Sequence, residues 1–293
     1  MALVTDSEIY DHIVDQYTEA KSNLYKKHVE EPTFWKCAGE DFKGQTVLDL
    51  ACGSGYYSRQ FRIRGAKQVS IMCCFFYFKQ IVNYVLIIFL KVVGVDVSKE
   101  MIEEAKKLGD PEDAASGSSN SLTYITANAT DLSAYMPLSN QKEGFDVVTC
   151  QYLFPYASNK EELFQMIKAA FVGLKLGGSF VGVTTCLDPA RPLKAKSSMF
   201  GIQMTWEGES EGVALFDGVC VQITLLDANG QSTVSFPNYF WSKDTITKLL
   251  SKAGFTGIKW QEEVCDKVDK AGQEWFQKAH EEYSGCGYFV AKK

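Results

Sequence analysis

The run Thr46-Val-Leu-Asp-Leu, leading straight into Ala51-Cys-Gly-Ser-Gly-Tyr, constrains this chain more than any other stretch. A short apolar, β-branched segment bounded by glycines reads as a buried strand, and the residues that follow, to about Gly65, read as a helix. The unit is therefore strand, glycine turn, helix. Further strand candidates at residues 92–97, 122–127, 145–150 and 179–184 are separated by helical patterns near 99–108 and 159–174. Strands that alternate with helices give a parallel sheet with helices packed on both faces.

The turn has a specific chemistry. Asp49 sits at the end of the first strand, and Gly53 and Gly55 let the backbone take positive φ and lie bare against a ligand. The strand-end carboxylate can accept from a cationic amino group. A dinucleotide site would instead place a pyrophosphate over those amides and would want glycine at position 58, where this chain has Ser58. An acid beside a pyrophosphate repels it.

The stretch VLDLACGSGYYSR resembles motif I of the class I S-adenosylmethionine-dependent methyltransferases, with Ala51 where many members have glycine. Val93-Gly-Val-Asp96-Val-Ser resembles the second strand of that family, whose terminal acid accepts both ribose hydroxyls of the cofactor. Leu122-Thr-Tyr-Ile-Thr-Ala-Asn128-Ala129 resembles its third strand, where a side chain and the following amide meet adenine. Asn128 stands in place of the more frequent aspartate, so recognition of the adenine amino group rests there on its amide oxygen. Phe145-Asp-Val-Val and Leu174-Lys-Leu-Gly-Gly-Ser-Phe complete the fourth- and fifth-strand signatures. Tyr10 to Tyr17 resembles the cofactor-closing lid of the small-molecule branch.

The resemblance implies a doubly wound α/β fold with a seven-stranded sheet, mostly parallel with the last strand antiparallel, and helices on both faces. It also implies S-adenosyl-L-methionine as methyl donor and S-adenosyl-L-homocysteine as product. The cofactor-binding residues it assigns are Tyr17, Asp49, Ala51, Gly53, Gly55, Asp96, Val97, Met101, Asn128, Ala129 and Gln151, and the substrate pocket holds Tyr152, Tyr156 and Trp206. No metal site is expected. A sulfonium donor is already activated, so alignment in a dry pocket is the main catalytic device, and no base need be conspicuous. No catalytic residue is named with that chemistry. His12, His28 and His280 are the candidates if the acceptor must lose a proton, and His28 is the one retained, although a lone histidine is more often a surface or capped residue.

Composition narrows the acceptor. The net charge is −6 and the pI near 5.3, a sign that repels polyanions, so a small-molecule acceptor is expected and nucleic acid is not. The fourth strand ends Cys150-Gln-Tyr-Leu-Phe-Pro-Tyr156, not the Asn/Asp-Pro-Pro-Tyr that grips planar amino groups, and no Pro-Cys pair supplies a cysteine nucleophile. Nine cysteines without CxxC spacing suit a reducing, cytoplasmic setting, and the first residues lack the pattern of a secretory signal. A monomer or homodimer without membrane attachment is expected. Two other readings share the glycine turn: an NAD(P)-dependent oxidoreductase, and a non-catalytic methyltransferase-like binding module.

The chain reads as a single domain over 1–293, with lid helices in 1–40, a cofactor-binding core over 45–185, a strand-rich substrate-side insertion over 186–240, and a C-terminal helix and strands over 241–293. One stretch breaks the pattern. Gly55 and Asp96 are 41 positions apart (96 − 55), about twice the usual interval between a glycine turn and its ribose acid. Joining Val69 to Val93 leaves 18 (41 − 23), which makes residues 70–92 the surplus. That apolar, acid-free stretch has the hydropathy of a membrane span, but a crossing there would put neighbouring strands of one sheet on opposite sides of a bilayer. The preferred explanation is translated non-coding sequence, because Val69-Ser70 is compatible with codons that match the start of a spliced intron.

Overall fold

The computed structural model describes residues 25–66, 92–109, 122–136, 144–185, 196–197, 202–208, 215–226, 230–265, 273–274, 276–277 and 286–293. Tyr17, His12, His280, the lid stretch 1–24 and residues 70–91 of the surplus segment lie outside them. The central sheet is built from β1 (Val47–Leu50), β2 (Val92–Asp96), β3 (Leu122–Thr126), β4 (Phe145–Gln151), β5 (Leu174–Thr185), β10 (Thr256–Gln261) and β11 (Cys286–Lys292). Their order is β10-β11-β5-β4-β1-β2-β3. Strands β1 to β5 run parallel and β11 runs antiparallel between β5 and β10, the arrangement that the resemblance implies.

All four residues of β1 are buried, as expected of a central strand covered on both faces. Side chains alternate between the two faces. Val47, Val92, Val147 and Val181 join one apolar cluster with Phe34, Trp35 and Phe61 of the helical side, whereas Leu48, Val93, Val148 and Phe180 join the other. The first face is covered by α1 (Glu31–Ala38) and α2 (Tyr56–Ile63), and the second by α5 (Lys160–Gly173) and α6 (Lys243–Ala253). Between them in the chain come α3 (Lys99–Leu108) and the short α4 (Leu132–Tyr135).

Local chemistry sets the helix ends. Ser98 accepts from the Met101 N–H at the start of α3, Asn159 from the N–H groups of Glu161 and Glu162 at the start of α5, and Ser242 from Thr245 at the start of α6. Helix α6 ends at Gly254 with φ of 108°, the glycine stop that its sequence announces.

The segment after β5 forms a second, antiparallel sheet of β6 (Lys196–Ser197), β7 (Ile202–Trp206), β8 (Cys220–Leu226) and β9 (Ser232–Tyr239). Met204, Val221, Ile223, Leu225 and Phe236 of this sheet are buried in the same cluster as α1, while Thr224 and Ser235 pair their hydroxyls at 2.7 Å on its other face. Strand β5 starts at Leu174, five residues before the sequence pattern places it. The Leu-Lys-Leu-Gly-Gly stretch, part of the fifth-strand signature, is an irregular strand start, where Leu174 pairs with Phe145 and Gly177, at φ of 80°, donates to the Lys293 carbonyl at 2.9 Å.

Candidate active site

A cavity of about 150 Å³ opens at the carboxyl ends of β1, β2, β3 and β4. This is the crevice where ligands bind in open α/β sheets. Its wall includes Ala51, Gly53, Asp96, Val97, Met101, Asn128, Ala129, Gln151, Tyr152 and Tyr156, ten residues that the sequence singled out, together with Val95, Ala127, Leu153 and Met166, which it did not. The four additions are apolar and look like ordinary core positions in sequence; only the fold shows that they face space.

The floor of the site is the glycine turn. Ala51 holds φ of 59°, Gly53 of 53° and Gly55 of 77°, so three left-handed residues follow one strand within five positions. At Ala51 the Cβ is strained, a cost on the order of 1–2 kcal/mol that is held in place by the surrounding structure. Tyr152 on the opposite wall is the only other non-glycine at positive φ among the described residues, also at 59°. Both left-handed side chains line the cavity.

Gly55 is not in the cavity wall. Tyr124 of β3 lies over it, with the hydroxyl donating to the Gly55 carbonyl at 3.3 Å, and a Cβ at Gly55 would fall 2.2 Å from that oxygen. The same ring crosses Gly94 of β2, where a Cβ would fall 2.7 Å away. The two glycines are therefore needed for a tyrosine from a third strand to pack against the turn, a requirement that no local pattern reveals.

The two acids are placed differently. Asp96 caps the turn from outside: one oxygen accepts from the Gly53 N–H at 2.8 Å and the other from the Ser98 N–H at 2.9 Å, and the residue lines the cavity. Asp49 is fully buried beneath the turn, where one oxygen accepts from the Ser58 hydroxyl at 2.6 Å and the other has no hydrogen-bond partner. Burial raises its pKa from the ordinary carboxylate range to about 7, the Ser58 bond opposes that shift, and the nearby Asp96 charge adds to it. Ser58, read in sequence only as a departure from a dinucleotide motif, is the side chain that holds Asp49.

Asn128 is exposed at the cavity rim, and its amide oxygen accepts from both the N–H and the hydroxyl of Thr130, at 2.9 and 2.8 Å. The oxygen that the sequence reading assigns to an adenine amino group is thus engaged by Thr130 in this structure. Both lone pairs are engaged, and the side-chain NH₂ is the group left to face a ring nitrogen. His28 and Trp206 do not line the cavity. His28 is half-buried on the helical turn Lys26–Glu30, and Trp206 ends β7 against the apolar cluster of the second sheet.

A matching family model covers residues 5–266 and is that of the ubiE/COQ5 methyltransferases. The chain belongs to the ubiE/COQ5 methyltransferase family. A solved S-adenosylmethionine-dependent methyltransferase from Mesorhizobium loti is similar in fold, with a TM-score of 0.54 and 17% identity, over 90% of this chain and 97% of that one. One from Clostridium acetobutylicum has a TM-score of 0.53 and 17% identity, over 95% and 98%. A structure described as a DhpI-SAM-HEP complex has a TM-score of 0.54 and 16% identity, over 99% and 100%. Family and fold are those of the class I methyltransferases that use S-adenosylmethionine. An uncharacterized protein of Haemophilus influenzae is 26% identical over 181 residues, and the match spans 60% of this chain and 58% of that relative.

The residues present fit this cofactor. The partnerless, buried Asp49 oxygen is an acceptor in search of a donor, such as an ammonium or a bridging water. Asp96 stands where ribose hydroxyls need an acceptor, and the apolar pair Val97 and Met101 with Ala127 suits a flat ring. Among the described residues, no group of histidine, cysteine, aspartate and glutamate has the makings of a metal site, and no helix is long and apolar enough to cross a membrane.

Proposed function

We propose that the chain transfers a methyl group from S-adenosylmethionine to a small-molecule acceptor. One observation carries the reading: a cavity at the strand ends is bounded by bare turn backbone and Asp96, above a buried acid with an unsatisfied oxygen. A cationic nucleoside amino acid suits this arrangement. A dinucleotide does not, because Asp49 would oppose a pyrophosphate and the Gly53 N–H already donates to Asp96.

The donor, when bound, supplies a methyl group already activated by positive sulfur. What remains for the protein is to align the acceptor and exclude water, which Leu153, Tyr156 and Met166 do from the apolar side of the cavity. The lid over 1–40, the core over 45–185 and the substrate-side segment over 186–240 are the units through which the chain does this. The reading takes the chain as a cytoplasmic monomer or homodimer with no membrane partner, and its net charge of −6 favours an acceptor other than nucleic acid.

Titration calorimetry with S-adenosylhomocysteine tests the cofactor half: heat of binding is expected, and no heat from folded protein would leave a non-catalytic module. A screen of a metabolite extract for radiolabelled methyl transfer tests the other half, with a labelled small product expected. The surplus stretch 70–92 has its own test, since recovering its peptides from native protein by mass spectrometry would reject an intronic origin.

A further inference from the structure

The acceptor-side wall of the cavity contains a device that the cofactor motifs do not account for. Tyr152 follows β4 and lines the cavity, with its left-handed backbone held by an N–H donated to the Val183 carbonyl at 2.7 Å. Its hydroxyl donates to Glu30 at 2.5 Å, across 122 positions of sequence. Glu30 lies on the helical turn that leads into α1, and only 3% of it is exposed. Its other oxygen accepts from the Tyr57 hydroxyl at 3.0 Å. Among the described residues, no cation pairs with this carboxylate. Burial and the neighbouring Glu30 push the Tyr57 phenol well above its ordinary range, so Tyr57 stays a neutral donor.

Among the described residues, this buried carboxylate is supported by two phenols and no cation. Hydrogen bonding to it pushes electron density into the phenol of Tyr152, a residue of the cavity lining whose hydroxyl also lies 3.2 Å from Cys286 Sγ. An electron-rich phenol attracts a cationic ligand more than a neutral one of the same shape.

We infer that the Glu30–Tyr152 pair is a charge-sensing element that makes the cavity prefer the sulfonium cofactor over its neutral thioether product. This rests on the reading that S-adenosylmethionine occupies the cavity with its sulfur end toward β4. The pair acts on capture of the donor and release of the product. Tyr152 faces the ligand, and Glu30 is a positioning residue that acts through it.

The test is the ratio of two dissociation constants, for S-adenosylmethionine and S-adenosylhomocysteine, measured by calorimetry on the full chain and on Glu30→Gln and Tyr152→Phe. Glu30→Gln keeps the shape and removes the charge, so affinity for S-adenosylmethionine is expected to fall about three- to tenfold while that for S-adenosylhomocysteine stays within about twofold. Tyr152→Phe keeps the ring and breaks the bond, so it should move the ratio in the same direction by less. A structural role would lower both affinities together, and that result, or an unchanged ratio in both variants, overturns the inference. If Glu30→Gln does not fold, the Tyr152→Phe ratio decides. Wild-type protein that binds neither ligand would overturn the cofactor reading itself, whereas binding with an unchanged ratio overturns only the pair.

Discussion

The two walls of the cavity are built in opposite ways. The turn wall, Ala51 and Gly53 with Asp96, and with Asp49 and Ser58 buried beneath it, joins one strand, one turn and the end of the adjacent strand, and its hydrogen bonds are to backbone N–H groups and a hydroxyl nine residues on. The far wall joins Tyr152 to Glu30 and, beyond them, Tyr25 to Glu263 and Tyr288, residues scattered over the whole chain. A buried carboxyl group lies behind each wall, but the two are satisfied differently. Asp49 is left with a vacant oxygen and a raised pKa, the state of a group waiting for a ligand, whereas Glu30 has a phenol on each oxygen. On the proposed function, the turn side offers its acid to the ammonium of the cofactor, and the far side acts on the sulfonium through a phenol.

The largest expected effect is at the turn wall. On the proposed function, in which Asp49 receives the ammonium, Asp49→Asn should weaken S-adenosylhomocysteine binding by on the order of 3 kcal/mol, measured by calorimetry. Without ligand the sign reverses. The folded-state pKa of about 7 lies above the ordinary value of 3.8, so the folded protein holds more protons than the unfolded chain between those limits, and Asp49 costs stability as pH rises through them. Thermal melts of the ligand-free protein should therefore show the Asp49→Asn variant gaining on the wild type from about pH 4 to about pH 7, by at most about 4 kcal/mol, with no further gain above that window.

Next in size, Gly55→Ala drives a Cβ to within 2.2 Å of the Tyr124 hydroxyl at a backbone φ of 77°. A loss of about 2–4 kcal/mol in urea unfolding is expected; a loss under about 1 kcal/mol would show that Tyr124 does not press on the turn. Asp96→Ala should cost roughly 1–3 kcal/mol of cofactor affinity, since the ribose hydroxyls lose their charged acceptor, and unchanged affinity would break the assignment of this wall. Smallest is Tyr57→Phe, outside the cavity lining, which takes one donor from Glu30 behind the far wall and should cost about 1–2 kcal/mol of stability while leaving cofactor affinity within about twofold. Loss of affinity comparable to that of Asp96→Ala would erase the distinction between the walls.

What was legible in sequence follows this division. The order Asp49, Gly53, Gly55, Asp96 and Asn128 announces the turn and the strand ends that surround the cavity, of which Gly53, Asp96 and Asn128 line it, because a turn and the ends of adjacent parallel strands are local or nearly local objects. Three features of the site escaped it. The partnership of Ser58 with Asp49 was visible only as an absent glycine. Tyr124 looked like any buried strand tyrosine, and the engagement of the Asn128 oxygen by Thr130 shows only once the turn is formed. A glutamate in an N-terminal helix looks like a solvated charge until the fold buries it against a phenol.

The amino-acid sequence alone determined the alternation of strands and helices, the cap and stop of α6, and the acid-flanked glycine turn, since each depends on dihedral preferences and side-chain periods acting within a few residues. The tertiary structure alone decided that Glu30 meets Tyr152, that Tyr124 rests on Gly55, and that Met166 of α5 and Leu153 face a cavity. Those depend on which surfaces are pressed together when the two apolar faces of the sheet are covered, and burial is a property of the assembled chain, not of any segment of it.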